Sequence, residues 1–155
     1  MDLKQHLSRI TPDDREFREA FEQATVSKPD YARYYLRTLE RTKAKEKEPW
    51  SLPNEDPTEI TLEHVLPKTP NLGEWAAFDP DAVRKYSRRL GNMCLLQKTP
   101  NSNARSDEFL EKRALYGASP YFLTNELARF ETWGPQEIEA RQRDMARLAV
   151  HAWPI

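Results

Sequence analysis

The chain has 155 residues, 38% of them hydrophobic, which is enough for one apolar core and short of what two ordinary domains need. Its 24 basic and 25 acidic residues leave a net charge of −1, which excludes the global positive field of many nucleic-acid binders, so any DNA contact has to come from a local basic patch. A single cysteine, Cys94, excludes an internal disulfide, and neither a membrane-length apolar run nor the apolar core of a signal peptide is present, so a cytoplasmic chain with no membrane partner is expected.

Thr11-Pro12-Asp13-Asp14 reads as a helix start, with Thr11 as cap and Pro12 at the first helical position, and Phe17, Ala20, Phe21 and Ala24 mark its apolar face. A second start at Ser27-Lys28-Pro29-Asp30 leads into Tyr31, Tyr35, Leu36 and Leu39 at helical spacing, followed by a charged helix end from Arg41 to Glu48. Pro49, Pro53 and Pro57 then space out a polar connection without periodicity.

That connection delivers the chain to Ile60-Thr61-Leu62-Glu63-His64-Val65-Leu66-Pro67, an alternating apolar run read as a strand that carries a carboxylate beside a histidine. Strand parity sends Glu63 and His64 to opposite faces, so both can serve one site only where the strand ends. Pro67 supports that ending, because it lacks an N–H and pushes Leu66 toward an extended or turn conformation. Such a pair suits phosphodiester hydrolysis, with the imidazole taking a proton from water and the carboxylate holding a metal ion. A histidine closing an apolar run can equally be a hydrogen-bonded core residue.

Asp79-Pro80-Asp81 opens the next helix, with Val83, Tyr86 and Leu90 inward, Arg84, Lys85, Arg88 and Arg89 outward, and Gly91 at the helix stop. Residues 92–97 form a short apolar run read as a second strand, antiparallel to the first and ended by Pro100. Asn101-Ser102-Asn103 starts a further helix with Phe109, Leu110, Ala114 and Leu115 at roughly helical spacing. Ser119-Pro120 caps a helix through Phe122, Leu123, Leu127 and Phe130, and after Trp133-Gly134-Pro135 a last helix carries Ile138, Arg141, Met145, Leu148 and Ala149 to Trp153-Pro154. The fold expected is mostly α with a small two-stranded antiparallel hairpin. Trp133 and Trp153 read as packing residues, and Cys94 as buried filler within its strand.

Between Arg84 and Arg113 there are eight basic residues (Arg84, Lys85, Arg88, Arg89, Lys98, Arg105, Lys112, Arg113) against three acidic ones (Asp107, Glu108, Glu111), a local net of +5 that brackets the Glu63-His64 strand. The basic residues of this stretch other than Arg113 are the candidate DNA-binding residues. Phosphate contacts of this kind position a duplex without reading its sequence.

Glu63-His64-Val65-Leu66-Pro67, taken with Leu90-Gly91-Asn92 and with Asn101 nine residues after Asn92, resembles the HNH nucleases. More narrowly, the chain is similar to the C-terminal HNH domain of GmrSD-type modification-dependent restriction endonucleases, including SspE-like proteins. Phe109, Lys112, Tyr116, Ser119, Trp133, Glu137-Ile138, Arg141 and Trp153-Pro154 carry the likeness beyond the strand pair. It implies a single HNH nuclease domain over residues 1–155, with an N-terminal helical part (1–50), a ββα-metal core with an inserted helix (58–115) embedded in helices, and a C-terminal helical part (116–155).

The resemblance further implies His64, Asn92 and Asn101 as catalytic residues. His64 activates water, Asn92 braces the loop that carries it, and Glu63 and Asn101 hold a divalent metal, Mg²⁺ with Mn²⁺ as a substitute. Ser106 stands where family members often have a second asparagine, which leaves the remaining metal-side ligand open among Asn101, Asn103 and Asp107. Glu63 replaces the aspartate common in HNH enzymes, lengthening the reach to metal by one methylene. The implied partners are DNA and an N-terminal ParB-like nucleotide-using domain, with this chain as a fragment of a larger restriction protein in anti-phage defence. The competing class is a DNA-binding or protein-interaction module that keeps the HNH frame without turnover.

Overall fold

A computed structural model describes residues 11–45, 56, 58–98 and 108–154 of the chain. Among them are six α-helices and one two-stranded antiparallel sheet. Helix α1 (Asp14–Gln23) opens on a capping box, in which the Asp13 side chain accepts from Glu16 N at 2.7 Å and the Glu16 carboxylate accepts from Asp13 N at 3.0 Å. The cap is therefore Asp13 rather than Thr11, since that reciprocal pair satisfies two helix-end donors at once.

Helix α2 (Pro29–Ala44) has proline at its first position and stops at Lys45, whose left-handed φ of 52° turns the chain away. Leu36 and Leu39 are buried on its inner face, each contributing about 2 kcal/mol of apolar burial. Tyr31, expected on that face, is 55% exposed. The remainder of the predicted charged helix end and the proline-spaced connection, apart from Asp56, lie outside the described residues.

Strand β1 (Ile60–His64) pairs with β2 (Met93–Gln97), with Glu63 opposite Cys94 and His64 opposite Met93. Opposed residues in such a pair share a face, so Leu62 and Leu95 lie on His64's side and Thr61 and Leu96 on Glu63's. Each face is covered by a different apolar cluster. Met93 and Leu95 pack with Phe21, Leu36 and Met145, whereas Cys94 and Leu96 pack with Val65, Phe109 and Tyr116. Burial on both sides is why β2 reads as an unbroken apolar run while β1 alternates.

Between the strands, α3 (Pro80–Tyr86) is capped by Asp79, which accepts from Ala82 N at 2.7 Å, and it turns Val83 and Tyr86 inward. It ends before Gly91, and a 3₁₀ turn (Leu90–Asn92) leads into β2. Gly91 is thus no helix stop. A Cβ there would lie 2.5 Å from the Ile138 carbonyl oxygen and 2.9 Å from the Gln142 Cβ, so glycine is needed for close approach to the last helix.

Helix α4 (Phe109–Gly117) buries Phe109 and Tyr116 and leaves Leu110 61% exposed, so the inward pair differs from the predicted apolar set. Its predicted start at Asn101-Ser102-Asn103 lies outside the described residues. Helix α5 (Phe122–Asn125) is a single turn that continues as a 3₁₀ turn (Glu126–Arg129), with Ser119 Oγ accepting from Tyr121 N at 3.2 Å. The buried Glu40 of α2 caps α5 from outside, accepting from Phe122 N and from Leu123 N. Helix α6 (Pro135–Ala152) starts on its proline and buries Ile138, Arg141, Gln142, Met145 and Ala149. No described helix is long and apolar enough to cross a membrane.

Candidate active site

β1 ends at His64, with Glu63 and His64 both in register with β2 and therefore on opposite faces of the hairpin. One more backbone bond, Val65 N to Asn92 O at 2.9 Å, carries the pairing a step past the strand. Beyond that the Asn92 side chain takes over. Its Oδ1 accepts from Leu66 N at 2.8 Å and its Nδ2 donates to Leu66 O at 2.9 Å, so the carboxamide pairs with Leu66 as a backbone amide would.

The other two bonds of that carboxamide fix it in turn. Nδ2 also donates to Ser87 O at 3.3 Å, and Oδ1 also accepts from Trp133 Nε1 at 3.1 Å. Asn92 is fully buried with its polar atoms satisfied inside the protein, and it holds the turn after His64. Trp133 is held against Asn92 by stacking on Phe109 at 5.4 Å between ring centroids.

Behind this turn stand two consecutive residues of α6. Arg141 donates to Gly91 O at 2.7 Å, Met93 O at 2.8 Å and Leu123 O at 3.0 Å. Gln142 Oε1 accepts from Gly91 N at 2.9 Å and Arg89 Nε at 3.2 Å, while its Nε2 donates to Phe21 O at 2.8 Å and Ala24 O at 2.9 Å. Gln142 was not foreseen from the sequence, because a polar residue in a helix carries no periodic signal that separates a buried tie from a solvated position.

His64 is partly buried. Burial first, and then the positive charges of Lys68 and Lys112, bring its pKa down to about 4, so the imidazole is neutral and able to accept a proton at pH 7. Glu63 lies on the other face of the strand, where its Oε1 accepts from Lys112 Nζ of α4 at 2.8 Å. Tyr116, one turn further along α4, is buried on the same side, with its hydroxyl directed at the Glu63 carboxylate. Burial, then Cys94 and Glu63, raise its pKa well above the usual tyrosine value. Burial likewise pushes the Cys94 thiol up to about 12, as suits a filler inside a strand.

The basic residues divide by environment. Arg84, Lys85, Arg88 and Lys98 are exposed, Arg84 in an ion pair with Asp81 and Lys85 with its ammonium 4.9 Å from the Tyr86 ring centroid. Arg89 is not on the outer face. It is 3% exposed, and its guanidinium donates to Gln142 Oε1, to Gln23 Oε1 at 3.2 Å and to the Glu22 carbonyl, tying α1 to α6. Lys112 is held by Glu63, and Arg113 donates through Nε to Ala128 O at 2.8 Å. Arg105 lies outside the described residues, as do Asn101, Asn103 and Asp107.

A sequence model of the C-terminal domain of GmrSD restriction endonucleases matches residues 11–148, nearly the whole chain. The chain belongs to that family. No curated protein matches it. For this GmrSD C-terminal domain, the match takes in the hairpin, the Asn92 turn and the Arg141-Gln142 tie together.

No group of three or more His, Cys, Asp and Glu able to hold a metal occurs among the described residues. Glu63 offers a hard oxygen donor paired with the Lys112 ammonium, with the buried Tyr116 hydroxyl on the same side. That chemistry fits a hydrated divalent ion such as Mg²⁺, which takes one or two carboxylates and keeps several waters.

Proposed function

We propose that this GmrSD C-terminal domain is a metal-dependent DNA endonuclease of the HNH type, in which His64 is the general base. The observation that carries the reading is the end of β1. There a neutral imidazole closes the strand, just before a turn that one buried asparagine holds by two side-chain hydrogen bonds to Leu66, its other two bonds fixing the carboxamide against Ser87 and Trp133. A fixed base of this kind suits proton transfer from water during attack on a phosphodiester.

Glu63 and Asn101 would hold the metal, most readily Mg²⁺ with Mn²⁺ as a substitute, with Asn103 or Asp107 as the other candidates. When bound, the divalent ion supplies positive charge beside the phosphate as charge develops there. His64 takes the proton from water, Asn92 holds the turn that aims it, and Asn101 belongs to the same constellation. Arg84, Lys85, Arg88 and Lys98 would meet the phosphate backbone, with Arg105 beside them in sequence. Arg89 has no place in that set, being committed to the interior.

In the larger protein, an N-terminal ParB-like nucleotide-using domain would recognise modified DNA and this domain would cut it, as part of restriction of phage. The test is plasmid nicking with Mg²⁺ or Mn²⁺, comparing the chain with His64→Ala. Cleavage by the parent and none by the variant supports the reading. Equal nicking by both, or DNA binding without cleavage by either, favours a binding module.

A further inference from the structure

Lys112, like Arg89, is a phosphate-contact candidate that turns inward, and what it meets is the proposed metal ligand. Its Nζ lies 2.8 Å from Glu63 Oε1, with the two side chains only 16% and 29% exposed. Phe109 and Tyr116 seat α4 in the apolar cluster beside β2, so the lysine is delivered to Glu63 by a helix that is itself fixed. Its stem remains flexible, and a lysine ammonium is a strongly hydrated point charge that exchanges partners more readily than a planar guanidinium does.

We propose that Lys112 is a built-in competitor for the cation position on Glu63, so that a divalent ion binds there only by exchanging with the lysine ammonium. The proposal rests on Glu63 being a metal ligand. One positive group leaves the carboxylate as another arrives, and the carboxylate is never left bare in a part-buried site. Tyr116 supports the exchange, since its buried hydroxyl is already directed at the Glu63 carboxylate. It can hold the carboxylate in place once the lysine has gone.

Two measurements test this on the intact chain. In the first, Mn²⁺ is titrated calorimetrically into the parent, Lys112→Met, Lys112→Arg and Glu63→Gln. The expected result is binding about fivefold tighter in Lys112→Met, the scale of one partly exposed ion pair, and no tightening in Lys112→Arg, which keeps a competing cation. Equal or weaker binding in Lys112→Met overturns the exchange, while loss of binding in Glu63→Gln alone would still leave Glu63 as a ligand. Absence of Mn²⁺ binding in every variant overturns the metal reading of Glu63 and the exchange together.

In the second, the parent is labelled with an amine-reactive reagent with and without Mn²⁺ and the sites are read by mass spectrometry, which needs no variant to fold. Exchange predicts that Mn²⁺ raises labelling at Lys112 and leaves Lys85 unchanged. Unaltered labelling of Lys112 at saturating Mn²⁺ overturns it.

Discussion

The indole Nε1 of Trp133 donates to Asn92 Oδ1 at 3.1 Å, joining the loop before the last helix to the turn that follows His64. Asn92 is the node of that connection. Replacing it with alanine leaves the N–H and C=O of Leu66 and the Trp133 N–H without partners in a buried region, and should destabilise the domain by about 3 kcal/mol. Asn92→Asp keeps the two accepting bonds but loses the two donated ones and buries a charge, so it should be no milder. Urea denaturation measures both. Alanine within about 0.5 kcal/mol of the parent would show that the turn does not depend on this side chain.

Gly91 gives a second expectation, on backbone approach rather than polar satisfaction. A methyl group at this position meets the Ile138 carbonyl oxygen and the Gln142 Cβ, and both belong to a buried helix that cannot yield easily. Gly91→Ala should therefore lower stability by about 2 kcal/mol, against the usual trend by which alanine stabilises a glycine position of negative φ. A higher melting temperature in the variant would contradict the packing described.

The depressed pKa of His64 makes stability depend on pH with a definite sign. The unfolded chain takes up this proton near 6.5, whereas the folded domain keeps the imidazole neutral down to about 4. Between those values the unfolded state binds more protons, so His64 lowers stability as pH falls from 6.5 toward 4 and adds no further loss below that. His64→Gln should flatten this part of a stability profile measured by urea unfolding at successive pH values. An unchanged slope would mean that the folded imidazole titrates normally.

Cys94 should be chemically silent. It is 1% exposed, and its thiol is pushed up to about 12, so at pH 8 almost no thiolate is available. A thiol-reactive chromogenic disulfide should label it only after denaturant is added, at the rate of unfolding. Prompt labelling of the native protein would place Cys94 at the surface.

The elements readable from sequence were those whose signals are local. Pro29, Pro80 and Pro135 each mark the first residue of a helix, and alternation from Ile60 with Pro67 beyond it marks β1 and its end. Glu63 and His64 could be picked out as a pair because a carboxylate and an imidazole stand together at that end. What escaped was long-range. Arg89 continues a basic stretch and looks like its neighbours, yet a bridge between Thr25 and Arg89 turns this one residue toward α1. Gly91 has the composition of a helix stop, and only the nearness of α6 reveals its role. The Lys112–Glu63 pair joins residues 49 positions apart, beyond the reach of any periodic pattern.

Gln142 touches the carbonyls of Phe21 and Ala24, the amide of Gly91 and the guanidinium of Arg89, so one side chain knots the first described helix, the hairpin turn and the last helix together. Fraying of the first or the last described helix would slacken the same knot. Loosening either described helix would therefore reach the turn that follows His64 through this one carboxamide.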